Sequence, residues 1–185
     1  MNEKYWSLFG LAGPLVAYIF IGVSIASAPW FSWWNNALSD LGHAVRSESA
    51  PYYNFGLLLA GLFITVYVVT VFWKYAKYTS LFLSATAFSL QLVAVFDEVY
   101  GRLHGTVSIV FFVFMILSCL VYGVEKKSVL GILSFIIGLG SWALYWAETY
   151  KAGVAVPEII SATAAMSWVV LSAVKIFLNP TSKTI

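Results

Sequence analysis

The chain has 185 residues, 61% hydrophobic, 18% aromatic and 10% charged, with a net charge of +2 and a mean hydropathy of +0.88. Soluble domains carry roughly a quarter charged residues, so this composition excludes a soluble globular protein and indicates an integral membrane protein. The small net charge gives no sign of a nucleic-acid partner, and the single cysteine, Cys119, excludes an intrachain disulfide and a cysteine metal cluster.

A spanning helix needs roughly 20 mainly apolar residues. Six such runs occur in chain order, about residues 5–28, 52–73, 79–96, 103–123, 128–147 and 157–177. The first resembles a secretory signal, because Lys4 precedes it and Ala26-Ser27-Ala28 mimics a cleavage site. It is longer than the usual 7–15 apolar residues of a signal, and Pro29 follows the would-be site, so it reads as a retained span. Cys119, inside the fourth run, reads as a small buried packing residue. Connections are short except for 29–51, and antiparallel neighbours follow from that. The expected architecture is all-α: a single polytopic domain over residues 1–185, a six-transmembrane-helix bundle with a short interfacial helix in the first outer loop.

That interfacial helix is expected over Asn35–His43. Trp34, Leu38, Leu41 and Val45 would make one apolar stripe at helical spacing. Asn36, Asp40 and His43 would share a polar face. The preceding Trp30, Phe31, Trp33 and Trp34 suit a membrane–water interface. The ordinary alternative is a solvated loop helix.

Orientation follows from lysine and arginine. Lys4, Lys74, Lys77, Lys126, Lys127, Lys175 and Lys183 fall on one side; Arg46, Arg102 and Lys151 fall on the other. The richer side should be cytoplasmic, which places the protein in the cell membrane as a multi-pass protein with both termini cytoplasmic. Acidic residues divide the other way: Glu3 and Glu125 are inside, while Asp40, Glu48, Asp97, Glu98, Glu148 and Glu158 are outside, with His43 and His104.

Ionisable residues at membrane depth mark functional sites by default. Asp40, His43, Asp97, His104 and Glu158 come from three outer segments and would converge on one mouth of the bundle as catalytic groups. Asn36, Ser39, Arg102 and Gln91 are candidates to bind substrate, Arg102 through a phosphate that its planar fork suits and Gln91 by lining a polar cavity. Each has an ordinary reading. Asp97 would cap a helix end or pair with Arg102, Glu98 would face solvent, and Pro157-Glu158 is the chemistry of a helix start. The small polar residues of the spans, such as Ser89 and Ser161, would serve helix packing. Two histidines with two or three carboxylates supply enough ligands for zinc or another divalent metal, the candidates being His43, His104 and Asp97. The same groups would equally serve as general acid and base without a metal. No HExxH or HxxxH spacing is present.

Several short motifs carry a resemblance. NALSDLG (Asn36–Gly42), YNFGLLLAG (Tyr53–Gly61), the Asp97…Gly101…His104 pattern and Pro157-Glu158 resemble an uncharacterised family of archaeal and bacterial six-span membrane proteins, a domain-of-unknown-function family. The SDLG segment is also distantly similar to the eukaryotic family that contains autophagy modulators and a GPI-anchor lipid-remodelling factor, which would imply a six-helix fold and work on lipids. A looser likeness is to membrane hydrolases of the ceramidase and adiponectin-receptor type, which use a serine, an aspartate and three histidines; this chain has two histidines.

The functional expectation is a membrane-embedded enzyme or enzyme-like protein acting on a lipid or amphiphile at the outer leaflet, by hydrolysis. Asp97 or Glu158 would be the base, a histidine the acid, and Asp40 would orient a histidine. The partner would be membrane lipid. The alternative is a non-enzymatic transporter of lipid or a small solute, or an interaction partner.

Overall fold

A computed structural model describes residues 3–180; Lys183, counted above with the cytoplasmic basic residues, lies outside them. Among the described residues, six helices are long and apolar enough to cross a membrane: α1 Glu3–Ala26, α2 Ala50–Tyr75, α3 Lys77–Val95, α4 Arg102–Glu125, α5 Val129–Trp146 and α6 Ala155–Leu178. Their ends lie within two residues of the apolar runs read from the sequence. Each helix packs against the next, and α6 closes the ring against α1 while also touching α4. Short connections leave antiparallel neighbours as the only arrangement the chain can reach. The outward faces carry Leu15, Ile19, Val69, Ile109, Val113 and Ile136, all exposed, as a multi-pass membrane protein requires. Exposed Tyr5, Trp73 and Tyr78 ring one end, and Trp30, Trp34 and Trp146 ring the other, at the two levels where aromatic rings suit a membrane interface.

Toward the end where α1 begins and α6 ends, the core is built of large, fully buried rings: Tyr67, Phe72, Tyr122 and Trp168. A π-helical turn, Val68–Phe72, interrupts α2 and turns both Tyr67 and Phe72 inward, with ring centroids 5.1 Å apart. Trp168 stacks on Tyr122 at 4.3 Å and donates its Nε1–H to buried Cys119 Sγ at 3.3 Å. Small polar side chains satisfy backbone or bridge helices: Ser89 Oγ donates to Ala85 O, Ser134 Oγ to Ala164 O on the neighbouring helix, and Tyr18 OH meets Thr163 Oγ1. That is the packing expected where water cannot supply partners.

At the other end the long loop differs from the helix expected over Asn35–His43. Only Leu38–Gly42 is helical, and it is a 3-10 helix. Trp34 and Val45 are 69% and 79% exposed, so the apolar stripe shortens to buried Leu38 and Leu41. The cause is local. Asp40 Oδ2 accepts from Ala37 N at 3.0 Å and from Asn36 Nδ2 at 2.8 Å, which fixes the start of the helix at Leu38. The backbone before it docks elsewhere: Gly153 N donates to Trp33 O and Ala155 N to Asn36 O, both at 2.9 Å. Gly153 is required there, because any Cβ would strike the Asn36 backbone. The long loop is thus sewn to the entry of α6.

Candidate functional site

A 3-10 helix has three residues per turn, so positions i and i+3 share a face. Burial over 38–43 follows that period: Leu38 and Leu41 are buried, Ser39 and Gly42 are buried, and Asp40 and His43 are half-buried. The Ser39 row faces the bundle. The Asp40 row faces outward, into an open cavity of about 350 Å³ shared with Trp30, Asn36 and Arg46.

Ser39 Oγ donates to Glu98 Oε1 at 2.7 Å. Glu98 belongs to a short 3-10 turn, Glu98–Tyr100, whose cap is Asp97; Asp97 Oδ1 accepts from Val99 N at 2.8 Å. Gly101, with φ +53, ends this turn in a conformation that favours glycine and lets α4 begin at Arg102. His104 sits one turn into α4 and is buried. Its Nδ1 lies 2.7 Å from Phe96 O. A carbonyl oxygen only accepts, so Nδ1 carries the proton. The other nitrogen, Nε2, is therefore the acceptor of the neutral ring. It lies 3.3 Å from Ser108 Oγ and 3.9 Å from Glu98 Oε1. Ser39 and Glu98 thus form one hydrogen-bonded pair and Ser108 and His104 another, with the Glu98 carboxylate near Nε2 and beyond hydrogen-bond reach of it.

Glu158, on the first turn of α6, is 8% exposed. Its Oε2 accepts from Leu38 N at 2.6 Å; Oε1 has no hydrogen-bond partner among the described residues. The charged groups that act on it are Glu98 and Asp40, both acidic.

Two cavities meet at these side chains. One, about 70 Å³, lies inside the bundle between Tyr53, Leu57, Phe111 and Ile159. The other, about 390 Å³, is a groove along α4 and α5, walled by Ile109, Val113, Leu139, Trp142 and Trp146. Ser39, Ser108, Phe112 and Glu158 line both, and Glu98 and His104 line the groove. The arrangement is an apolar groove with one polar end.

The structure therefore gathers Ser39, His104 and Glu158 of the residues singled out from the sequence. It places the others apart. Asp40, His43 and Asn36 line the outward cavity, where His43 Nδ1 accepts from Val45 N at 3.3 Å. Asp97 caps its turn. Arg102 is exposed and lines neither inner cavity. Gln91 Nε2 donates to Ala87 O at 3.2 Å and lies 3.4 Å from Thr65 Oγ1, joining α3 to α2. The metal candidates His43, His104 and Asp97 do not converge: among the described residues no group of three His, Cys, Asp or Glu side chains is placed to hold an ion. Glu98 and Ser108 were missed. Ser108 had a signal, standing four residues after His104 on one helix face. Glu98 had none, since an interfacial carboxylate beside another reads as solvated.

No curated protein and no solved structure matches the chain. A model of the family described as "Protein of unknown function (DUF998)" matches residues 11–175. The match runs from within α1 to within α6, through the long loop and every site residue above, and the chain belongs to the DUF998 family.

Proposed function

We propose that the protein is a membrane-embedded hydrolase for an acylated amphiphile, whose chain lies in the groove along α4 and α5 while its ester meets the polar end. The observation that carries this reading is His104. One ring nitrogen is anchored on Phe96 O, and the other turns toward the groove and the Ser108 hydroxyl. A hydroxyl within reach of a base, itself oriented by a third group, is the arrangement of an activated nucleophile. In the reaction Ser108 Oγ attacks the ester carbon and its proton passes to His104 Nε2. Glu98, 3.9 Å away, stabilises the imidazolium. Nε2 returns the proton to the leaving alcohol as the carbon–oxygen bond breaks. Water then repeats the cycle, releasing the acid and restoring Ser108. The basic-residue distribution supports a cell-membrane location with both termini cytoplasmic, which sets the site at the outer leaflet.

The test is hydrolysis of p-nitrophenyl esters of increasing chain length by purified protein in detergent. Turnover should rise with chain length. His104→Gln and Ser108→Ala should each lower kcat by about 100-fold or more without lowering the melting temperature. No ester cleavage, or cleavage that survives both substitutions, removes the hydrolase. Saturable binding of the amphiphile without product would favour the carrier reading, for which the groove alone suffices.

A further inference from the structure

The groove has a charge as well as a shape. Its polar end holds two carboxyl groups, Glu98 and Glu158, against one imidazole, and among the described residues no lysine or arginine lines it or the inner cavity. Arg102, the nearest basic residue in sequence, is exposed. An anionic head, such as a phosphate or sulfate, would meet carboxylates with no cation to offset them. Glu158, 8% exposed, lines both cavities with its carboxyl bonded through one oxygen alone, to Leu38 N, and a carboxyl removed from water is stable when a partner completes its hydrogen bonding or charge. The same groove is lined by two indole rings, Trp142 and Trp146, with centroids 5.4 Å apart. Indole faces attract quaternary and protonated amines. Trp142 is fixed in place, its Nε1–H directed at Ser161 Oγ at 3.3 Å.

We infer that the amphiphile taken by this groove carries a cationic head, an ammonium or quaternary amine, held between the carboxyls of Glu98 and Glu158 and the faces of Trp142 and Trp146. This rests on the groove of the proposed function and names the chemistry of its ligand. For the hydrolase it makes the leaving alcohol an amino alcohol. The Coulomb attraction within the groove is stronger than in water because the local dielectric is lower, and it is set against the cost of desolvating the charges, which a weakly hydrated quaternary amine keeps small.

The experiment is equilibrium binding, which does not depend on turnover. Protein in dodecyl maltoside micelles is titrated with decyltrimethylammonium, decyl sulfate and decanol, and tryptophan fluorescence is followed. The wild type should bind the ammonium at least about 10-fold more tightly than the other two, about 1.4 kcal/mol. Glu98→Gln, a half-exposed position that should not disturb folding, should lower that ratio several-fold. The Glu98→Gln/Glu158→Gln pair should bring it near one, with helicity and melting temperature retained. Equal binding of all three probes would overturn the charge inference while leaving the groove intact. Tighter binding of the sulfate, or a preference that survives both substitutions, would also overturn it. Saturable binding of none of the three would overturn the inference and the groove together.

Discussion

The Glu158 carboxyl, in the first turn of α6, accepts the backbone N–H of Leu38 at 2.6 Å across 120 residues of sequence. The bond closes the 3-10 helix of the long loop onto the bundle, and the same carboxyl forms part of the site floor. A helix-start acid that would ordinarily serve its own helix instead serves a distant one.

This pairing has a measurable consequence. Glu158→Gln keeps an acceptor at the same reach and should leave the thermal midpoint in detergent within a few degrees of wild type. Glu158→Ala strands a buried N–H at Leu38, which costs about 1–3 kcal/mol, and should lower the midpoint clearly. A midpoint for the alanine variant equal to that of the glutamine variant would mean the bond does not hold the loop.

The loop is also sewn by backbone at Gly153, where a Cβ would meet both Asn36 and Trp33. Gly153→Val should lift the loop from α6 while leaving the spans folded. Limited proteolysis in detergent should then cut within 29–49, in a region the wild type protects, with unchanged helicity by circular dichroism. Equal resistance in both proteins would show that the close approach is dispensable.

A second acid caps across helices at the opposite end. Glu125, at the close of α4, accepts from Tyr78 N at 3.1 Å, and from Thr79 N and Thr79 Oγ1 at 2.7 and 2.6 Å, at the start of α3. Glu125→Ala leaves the first turn of α3 without its acceptor and should cost about 0.5–2 kcal/mol, the range for loss of a helix cap. Thr79→Ala should cost less, because the two backbone donors keep the carboxylate. Thermal unfolding of both variants checks the order.

The spans were legible because length and hydropathy alone decide what crosses a membrane. His104 and Glu158 were legible because ionisable groups at that depth are costly. Asn36, Asp40 and His43 do share a polar face, as their spacing predicts, but it lines an outward cavity rather than the mouth of the bundle. A 3.6-residue period leaves the direction of Ser39 open, whereas the three-residue period of the 3-10 helix turns Ser39 inward and Asp40 and His43 outward. The hydrogen bonds of Asp40 back to Asn36 and Ala37 decide between those periods, and no spacing rule reveals them. Glu98 was illegible for a related reason: its inward turn depends on Asp97 acting as the cap, a choice between adjacent acids that sequence leaves open.

Orientation is open to cysteine labelling, with the probe sites chosen from the structure. Ser47 is unsuitable, being buried with its hydroxyl on Leu41 O; neighbouring Glu48 is exposed. In a Cys119→Ser background, Glu48→Cys should react with an impermeant maleimide on intact cells, and Val129→Cys, exposed at the other end, should react after permeabilisation alone. The opposite pattern would place the site on the cytoplasmic side.

Covalent labelling reports whether His104 activates Ser108. Detergent-purified protein is treated with a long-chain fluorophosphonate and the modified peptide is located by mass spectrometry. The wild type should carry the adduct on Ser108, displacement by a long-chain ester should slow its formation, and His104→Gln should reduce the labelling rate by about 100-fold or more. An adduct on another residue, or equal labelling of wild type and His104→Gln, would mean that His104 does not activate Ser108.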